Sequence, residues 1–298
     1  MKDEKIRYYY LGRPLTEEDL KQYAPSVMND AGPWDRVTEK YAFFPTIQLI
    51  RDLKTIGWIP FAVEQRQVYK LDRKDYTKHL VTFRNLSMKE QDNLIPEIVI
   101  TNSHDGRNSF QFFAGLYHTI KQSSFIVEDA SLEEFRVKHQ GYTLDQVKAV
   151  VGKVVEAIPL IYDKVMLMRN TILNPKQKVS LAMEAIRLRW KEKKNREGDV
   201  LKKAGKNEVD FEDLIMPIRE DERDSTLWNL FQILQEKIVN GGIKYTITQE
   251  GKIRKQTARA LVNIDQKIEV KKSLWKIASE LASVFAKNPR PKHEEAIT

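Results

Sequence analysis

A histidine and an aspartate stand side by side between residues 98 and 118, a stretch that reads IVITNSHDGRNSFQFFAGLYH. Histidine beside a carboxylate is the pair that general acid–base sites use. Adjacent residues on one turn rarely hydrogen-bond each other in that way, so a catalytic dyad is not predicted. Asp105-Gly106 is instead a strong turn dipeptide, because glycine adopts a positive φ without steric cost. We therefore predict a hairpin loop. If the loop also presents His104, Asp105 and Arg107 to a ligand, Arg107 is the better candidate for a phosphate contact.

Other catalytic motifs are missing from the sequence. It has no P-loop, no glycine-rich dinucleotide fingerprint and no cysteine, which excludes thiol catalysis and cysteine-ligated metals. The five histidines form neither an HxxxH nor an HExxH pair. We predict no catalytic residue, no metal site and no cofactor, and a role other than catalysis is favoured. A metal-dependent nuclease stays open as an alternative, with the candidates Asp72, Asp75, Glu97, His104 and Asp105.

Basic residues concentrate in two parts of the chain. The first part follows predicted strands and their turns, and its candidates for phosphate contacts are Arg66, Lys70, Arg73, Lys74, Lys78 and Arg84, together with Arg107. The second part is the run RLRWKEKKNREGDVLKKAGK, with the candidates Arg187, Arg189, Trp190, Lys193, Lys194 and Arg196. Single-strand binding combines such cations with an aromatic ring that stacks on a base. The alternative is a solvated helix end and linker, neutralised by the acidic stretch EVDFEDLIMPIREDERD that follows.

The overall charge points in the same direction as these clusters. The formal net charge is +8 over 298 residues, which favours polyanionic partners and weighs against a DNA mimic. No apolar run reaches the roughly 18 residues that span a bilayer, and the N-terminus lacks the apolar core of a signal peptide. We therefore predict no membrane contact and a cytoplasmic location.

Periodicity predicts an α+β fold, in which an antiparallel sheet carries long helices on one face and a mostly helical C-terminal region follows. A helix is predicted in FPTIQLIRDLKTIGW, where Pro45 occupies the first turn and Gly57 ends the helix. Strand-like alternation follows in WIPFAVEQRQVYKL, HLVTFRNL and SSFIVED, and a second hairpin is predicted in IKYTITQEGKIRKQ.

The rest of the chain reads mainly as helices. GYTLDQ opens a long helix, which Pro159 is expected to bend or break. Further helices are predicted in NPKQKVSLAMEAIRLRWKEKK, STLWNLFQILQEKIVNGG and KKSLWKIASELASVF. We predict a core domain over residues 1–175 and a helical region over residues 176–298, with a charged linker near residues 195–225. The apolar neighbours of Trp34, Trp58, Trp228 and Trp275 predict core positions.

Several stretches together resemble a protein family encoded by phages and plasmids, grouped as domain of unknown function 932. They are KYAFFPTIQLIRDLKTIGWIPFAVEQ, KHLVTFR, PEIVITNSHDGRNSFQFFAGLYH, LWNLFQILQEKIVNGG and SLWKIASELA. Relatives often continue after the hairpin with a Cys-Ser-Asn-Gly-type segment, where this chain has KQSSFI, so no role of that segment is carried over. The resemblance implies a phage or mobile-element origin, a bacterial host, and a role in DNA metabolism or in evasion of host defence.

The order of elements is also similar to that of another group. A helix ending in Gly-Trp, antiparallel strands and then a long helix resemble the core of RecT, Red-beta and Rad-type annealing proteins. That likeness implies single strands held in a basic groove without nucleotide hydrolysis. A homo-oligomer is a separate expectation for the partners of the chain. Our leading hypothesis is therefore a protein that binds and anneals single-stranded DNA in recombination. The alternative is an interaction protein that blocks or modulates a host defence complex through protein contacts.

Overall fold

The computed structural model describes residues 7–35, 37, 43–66, 68, 71–106, 110–127, 135–137, 143–190 and 206–287. The chain divides into two compact units. The first consists of Met1–Ile158 with Val262–Ile268, and the second of Pro159–Leu261 with Glu269–Thr298. No helix among the described residues is long and apolar enough to cross a membrane.

The first unit is built on an antiparallel sheet. Its strands lie in chain order as β1 (Arg7–Tyr10), β2 (Trp58–Gln65), β3 (His79–Asn85), β4 (Leu94–Asn102), β5 (Phe110–His118) and β6 (Ser123–Val127). A seventh strand, β7 (Phe135–Val137), also pairs with β5. Sequential antiparallel pairing needs only short connections, which is why the alternating segments of the sequence become neighbours.

The sheet curls strongly around its concave face. Tyr10 on β1 and Tyr117 on β5 have ring centroids only 5.4 Å apart, although three strands separate their strands in the sheet. A flat sheet would hold these strands about 19 Å apart, at roughly 4.8 Å per step. Side chains that alternate toward this face are therefore enclosed, and β3 is buried at every position from His79 to Arg84.

The strand registers define one end of the sheet that matters below. Gln65 pairs with His79, and His79 pairs in turn with Asn102. The β2–β3 and β4–β5 connections consequently emerge at this end, which we call the loop end. The β3–β4 connection emerges at the opposite end.

Helices complete the first unit. They are α1 (Glu17–Tyr23), α2 (Thr46–Thr55), the beginnings of α3 (Leu144–Asn170) and α7 (Ile264–Lys287), and 3₁₀ helices at Pro25–Met28 and Leu71–Tyr76. Helix α2 begins after Pro45 and ends before Gly57, as the sequence predicts. Ile264 and Ile268 of α7 pack in one apolar cluster with Leu80, Val99, Phe113 and Ile126 of the sheet.

The second unit is mainly helical. It contains the rest of α3 and α7, α4 (Pro175–Arg189), α5 (Phe211–Ile215), a 3₁₀ helix (Glu220–Glu222) and α6 (Leu227–Asn240). A small sheet has the strand order β10–β9–β8, with β8 (Lys206–Val209), β9 (Lys244–Gln249) and β10 (Lys252–Thr257). Helix α6 is buried almost all round, and Phe231 on it meets Trp275 of α7 edge to face at 5.8 Å.

The predicted α+β class, its antiparallel sheet and its helical C-terminal region are confirmed. Trp58, Trp228 and Trp275 are buried as predicted, whereas Trp34 is half-buried. Pro159 was predicted to bend or break α3. The break is wrong, because α3 continues through that residue, and the bend stays a prediction. The predicted domain boundary near residue 175 stays a prediction. Of the predicted charged linker, residues 195–205 lie outside the described residues, and the remainder contains β8, α5 and a 3₁₀ helix.

Candidate functional site

The NSHDG segment, residues 102–106, consists of the last residue of β4 and the start of the loop that follows, and we call it the NSHDG loop. The hairpin predicted around it is confirmed by the pairing of β4 with β5. Gly106 adopts φ +73°, the left-handed conformation that the turn dipeptide predicts. Asp105 accepts a hydrogen bond from Ser103 Oγ at 2.9 Å, and the side chain of His104 is fully buried.

Backbone hydrogen bonds anchor the NSHDG loop to two other segments. The N–H of His104 donates to the carbonyl of Tyr76 at 3.0 Å, which ties the loop to the β2–β3 connection. The N–H of Trp34 donates to the carbonyl of His104, also at 3.0 Å. Because both backbone groups of a buried residue are satisfied in this way, the loop has a defined position at the loop end.

Five buried polar side chains form one hydrogen-bonded network beside this loop. Gln65 Oε1 accepts from the backbone N–H of Ser26 at 2.9 Å and from its hydroxyl at 2.8 Å. That hydroxyl lies 2.8 Å from His79 Nδ1, and Thr46 Oγ1 lies 2.8 Å from His79 Nε2. Asn102 Nδ2 donates to Thr46 Oγ1 at 2.9 Å. The network joins three strand ends to α2 and to the first 3₁₀ helix.

The donors and acceptors around the two ring nitrogens of His79 determine its protonation state. The Ser26 hydroxyl donates its one proton to Gln65 and so accepts from His79 Nδ1. Thr46 Oγ1 accepts from Asn102, and its own proton is left to donate to Nε2. Protonation of Nε2 would remove that acceptor. Burial, followed by the nearby His104, also lowers the pKa of His79 well below its usual range. His79 is therefore a neutral, structural imidazole.

A small cavity of about 100 Å³ lies at the loop end, and we call it the loop-end cavity. Three cations line it: Arg66 after β2, Arg73 on the 3₁₀ helix and Lys78 before β3. Two carboxylates, Asp105 and Asp265, share its wall, so the charged lining has one more cation than anion. The structure thus brings together three of the phosphate-contact candidates that the sequence predicts.

The three cations of the loop-end cavity differ in how they are held. The guanidinium of Arg73 lies over the ring of Trp34, with Cζ 4.4 Å from the centroid, which fixes a long side chain in one orientation. Lys78 is buried and forms an ion pair with Asp265. Arg66 is exposed at the mouth, and its backbone N–H donates to the carbonyl of Lys78 at 2.8 Å.

Arg84 lies away from this cavity, inside the curled sheet. Its Nε donates to Glu97 Oε1 at 2.8 Å, and both side chains are buried. The guanidinium also lies 3.5 Å from the ring centroid of Tyr117 and 4.7 Å from that of Phe61. The paired carboxylate and the rings enclose the charge, so Arg84 holds the sheet together and does not face a ligand at the surface.

The second predicted cluster belongs to the other unit. Arg187 is exposed and pairs with Glu184 one turn away. Arg189 is buried, and its guanidinium donates to the backbone carbonyls of two other residues of the unit, Ile238 and Arg259. Trp190 is half-buried and meets Tyr245 edge to face at 5.2 Å.

The other predicted candidates are either exposed or outside the described residues. Lys74, from the first cluster, is exposed in the first unit. Lys70, Arg107, Lys193, Lys194 and Arg196 lie outside the described residues.

The nuclease candidates do not converge in the part of the chain that the structure describes. No three histidine or acidic side chains there come close enough together to hold a metal ion. Glu97 is buried in its ion pair with Arg84, and Asp72 and Asp75 are exposed on the 3₁₀ helix. Metal-assisted hydrolysis therefore gains no geometric support from these residues.

Sequence reasoning missed most of the loop end. Gln65, Ser26 and Thr46 belong to no recognisable sequence motif. The only local signal for the network is that polar residues stand at the ends of the predicted strands. Asp265 lies 187 residues from Lys78, its partner, and no local pattern connects the two. Trp34 was assigned to the core from its apolar neighbours, whereas its ring supports Arg73.

A protein-family model described as domain of unknown function (DUF932) matches residues 33–275. The chain belongs to this family. The matched range contains the NSHDG loop, the three cations of the cavity and every residue of the network except Ser26, and it confirms the family resemblance in the sequence.

Two relatives of similar length match most of the chain. The chain is 29% identical to UPF0380 protein YafZ and 28% identical to UPF0380 protein YfjQ, both from Escherichia coli (strain K12). Each comparison runs over 272 residues and covers 90% of this chain and 92% of the relative. No solved structure matches the chain.

Proposed function

We propose that the protein binds single-stranded nucleic acid through its phosphate backbone at the loop end, and that it serves strand annealing in recombination without nucleotide hydrolysis. One observation carries the proposal. Arg66, Arg73 and Lys78 come from three successive segments and converge on one cavity beside the anchored NSHDG loop. A cavity of about 100 Å³ accommodates a phosphate group but not a nucleotide. The rest of the bound nucleic-acid strand would therefore lie on the protein surface.

The chemistry of these side chains suits phosphate oxygens. Two guanidinium groups can each donate two parallel hydrogen bonds to a phosphate, and the ammonium of Lys78 adds a point charge. The ring of Trp34 orders Arg73 before any ligand arrives, which lowers the entropic cost of binding. Because Asp105 and Asp265 offset part of this charge, affinity must come from several phosphates along the strand.

The proposed contact set is smaller than the set predicted from the sequence. Arg84 and Arg189 are buried, and both hold the fold through the contacts described above. The exposed Lys74 on the 3₁₀ helix stays in the set and would contact the next phosphate along the strand. The proposed strand-binding residues of the first unit are therefore Arg66, Arg73, Lys74 and Lys78.

The test compares two double variants that remove the same charge. Arg66→Ala/Lys74→Ala removes two exposed cations at the loop end. Lys21→Ala/Lys89→Ala removes two exposed cations elsewhere, with Lys89 at the opposite end of the sheet. Binding to fluorescein-labelled oligo-dT is followed by anisotropy as the salt concentration is raised. Each lost contact to a single strand should flatten the log–log salt slope by about 0.7.

We expect the loop-end variant to flatten the slope by about 1.4 and the control variant to leave it unchanged. Equal behaviour of the two variants would contradict the loop-end site. Absence of binding by the parent protein at low salt would contradict the proposed function as a whole. A role through protein contacts in modulating host defence would then be the better hypothesis.

A further inference from the structure

The hairpin of β9 and β10, which we call the basic hairpin, carries cations on both faces. Lys252 and Arg254 share one face, because alternate residues of a strand point the same way. Tyr245 of β9 lies on this face too, since it pairs with Gln256 across the hairpin. We call this the Arg254 face, and the opposite side, which carries Lys255, the Lys255 face.

The two faces differ in how the protein compensates their charge. On the Lys255 face, Lys244 forms an ion pair with Asp213, with Nζ 2.5 Å from Oδ1. The same face borders a depression of about 600 Å³ whose walls also contain Glu208, Asp210 and Glu212. The cations of the Lys255 face therefore have acidic side chains of their own unit close by.

On the Arg254 face, Tyr245 also lines this depression, but neither Lys252 nor Arg254 does. All six residues of β10 are exposed, and none of the ion pairs in the part of the chain that the structure describes involves Lys252 or Arg254. β10 is the outer strand of its sheet. Lysine on an outer strand also discourages edge-to-edge aggregation, which explains the cations but not the aromatic rings near them.

One aromatic side chain lies on the same face of the hairpin as these two cations, and a second ring packs against it. Tyr245 on the Arg254 face is half-buried and meets the half-buried ring of Trp190 at 5.2 Å. The exposed Arg187 lies one turn before Trp190 on the same helix. Cations that track a phosphate backbone, beside rings on which bases stack, are the combination found in proteins that bind single strands.

We infer that the Arg254 face, together with Trp190, is a second binding surface for single-stranded nucleic acid. Lys252 and Arg254 contact successive phosphates, and Tyr245 and Trp190 provide the aromatic platform beside them. The inference rests on the proposed function for the identity of the ligand. It concerns a different unit of the chain and different residues from those of the loop-end cavity.

Adjacent residues of β10 provide a matched pair of variants. Arg254→Ala and Lys255→Ala each remove one exposed cation from the same strand, but from opposite faces. Lys252→Ala/Arg254→Ala removes both cations of the Arg254 face. The probe is fluorescein-labelled oligo-dT, measured with the full-length protein across a salt titration. A second set with Gln in place of Ala preserves side-chain length, and thermal unfolding is recorded for every variant.

Loss of two contacts should flatten the log–log salt slope by about 1.4, which weakens binding about 25-fold at 0.1 M salt. Arg254→Ala should flatten the slope by about 0.7, whereas Lys255→Ala should leave it unchanged. Trp190→Leu should weaken binding while the slope stays at the parent value, because stacking releases no counterions.

Each outcome separates this inference from the loop-end site. Equal slopes for Arg254→Ala and Lys255→Ala would overturn the inference, and the loop-end proposal would stand if Arg66→Ala/Lys74→Ala still flattened the slope. A hairpin effect without a loop-end effect would support the inference and overturn the loop-end site. A parent protein that does not bind the probe would overturn both.

Discussion

The buried ion pair of Arg84 and Glu97 can be used to test whether these two charges are enclosed inside the curled sheet. The two residues are direct cross-strand partners, with exposures of 5% and 0%. Arg84→Met keeps an apolar stem against Phe61 and Tyr117 but leaves the Glu97 carboxylate buried without this cation. Glu97→Leu leaves the guanidinium buried instead. Arg84→Met/Glu97→Leu removes both charges.

The expected costs follow from the burial of the pair. Removal of one partner of a buried ion pair costs about 3–5 kcal/mol of unfolding free energy, because the remaining charge stays out of water. Replacement of both partners by apolar groups is often neutral, so the double variant should lie within about 1 kcal/mol of the parent. The double-mutant cycle should accordingly give a coupling energy of about 5 kcal/mol or more, the sum of the two single costs minus the cost of the double variant.

Urea unfolding followed by circular dichroism measures these differences. The cost of Arg84→Met should also shrink as the pH falls, because protonation of Glu97 neutralises the remaining buried charge. A stable Arg84→Met variant with weakened strand binding would refute this reasoning. It would place the guanidinium at a ligand surface, as the sequence suggested.

Three further predictions concern His79 and the glycines. Because folding keeps His79 neutral, stability should be complete above its unfolded pKa of about 6.5 and fall below it by up to about 1.4 kcal/mol per pH unit relative to His79→Gln. Urea unfolding between pH 8 and 5 checks this, and parallel curves would contradict it. Gly106→Val should cost about 1–3 kcal/mol in the same assay through strain at positive φ, and unchanged stability would contradict the assigned turn. Gly241→Ala should lower the free energy of unfolding by at least about 1 kcal/mol more than Gly242→Ala. Both glycines have positive φ, but only at Gly241 would an added Cβ lie 2.6 Å from a backbone oxygen, that of Ala258. Equal melting temperatures of these two variants would count against the packing there.

The elements of the fold could be predicted where local patterns decide them. Helix α2 follows from Pro45, the apolar spacing and Gly57, and both hairpins follow from alternation around turn residues. Pro159 was predicted to bend or break α3, but the helix continues through it. Both Pro159 and Val155 are exposed. The carbonyl that loses its partner four residues before the proline can therefore bond to water, and the helix continues.

The site was less predictable because its contacts are long-range. Arg84 was predicted to contact phosphate, but the curl that brings Tyr10 against Tyr117 encloses it. The basic hairpin was predicted as a hairpin, but the acidic residues that compensate only its Lys255 face come from other segments. A single sequence contains the charges of such a surface but not their neighbours.

The central claim is that phosphate contacts bind a single strand to this protein. Equilibrium binding of the parent protein to oligo-dT, measured between roughly 50 and 200 mM salt, tests it most directly. The account predicts a straight log–log plot with a slope of several times −0.7, because each proposed surface would contact more than one phosphate. Undetectable binding at the lowest salt concentration, or binding that does not depend on salt, would contradict the claim.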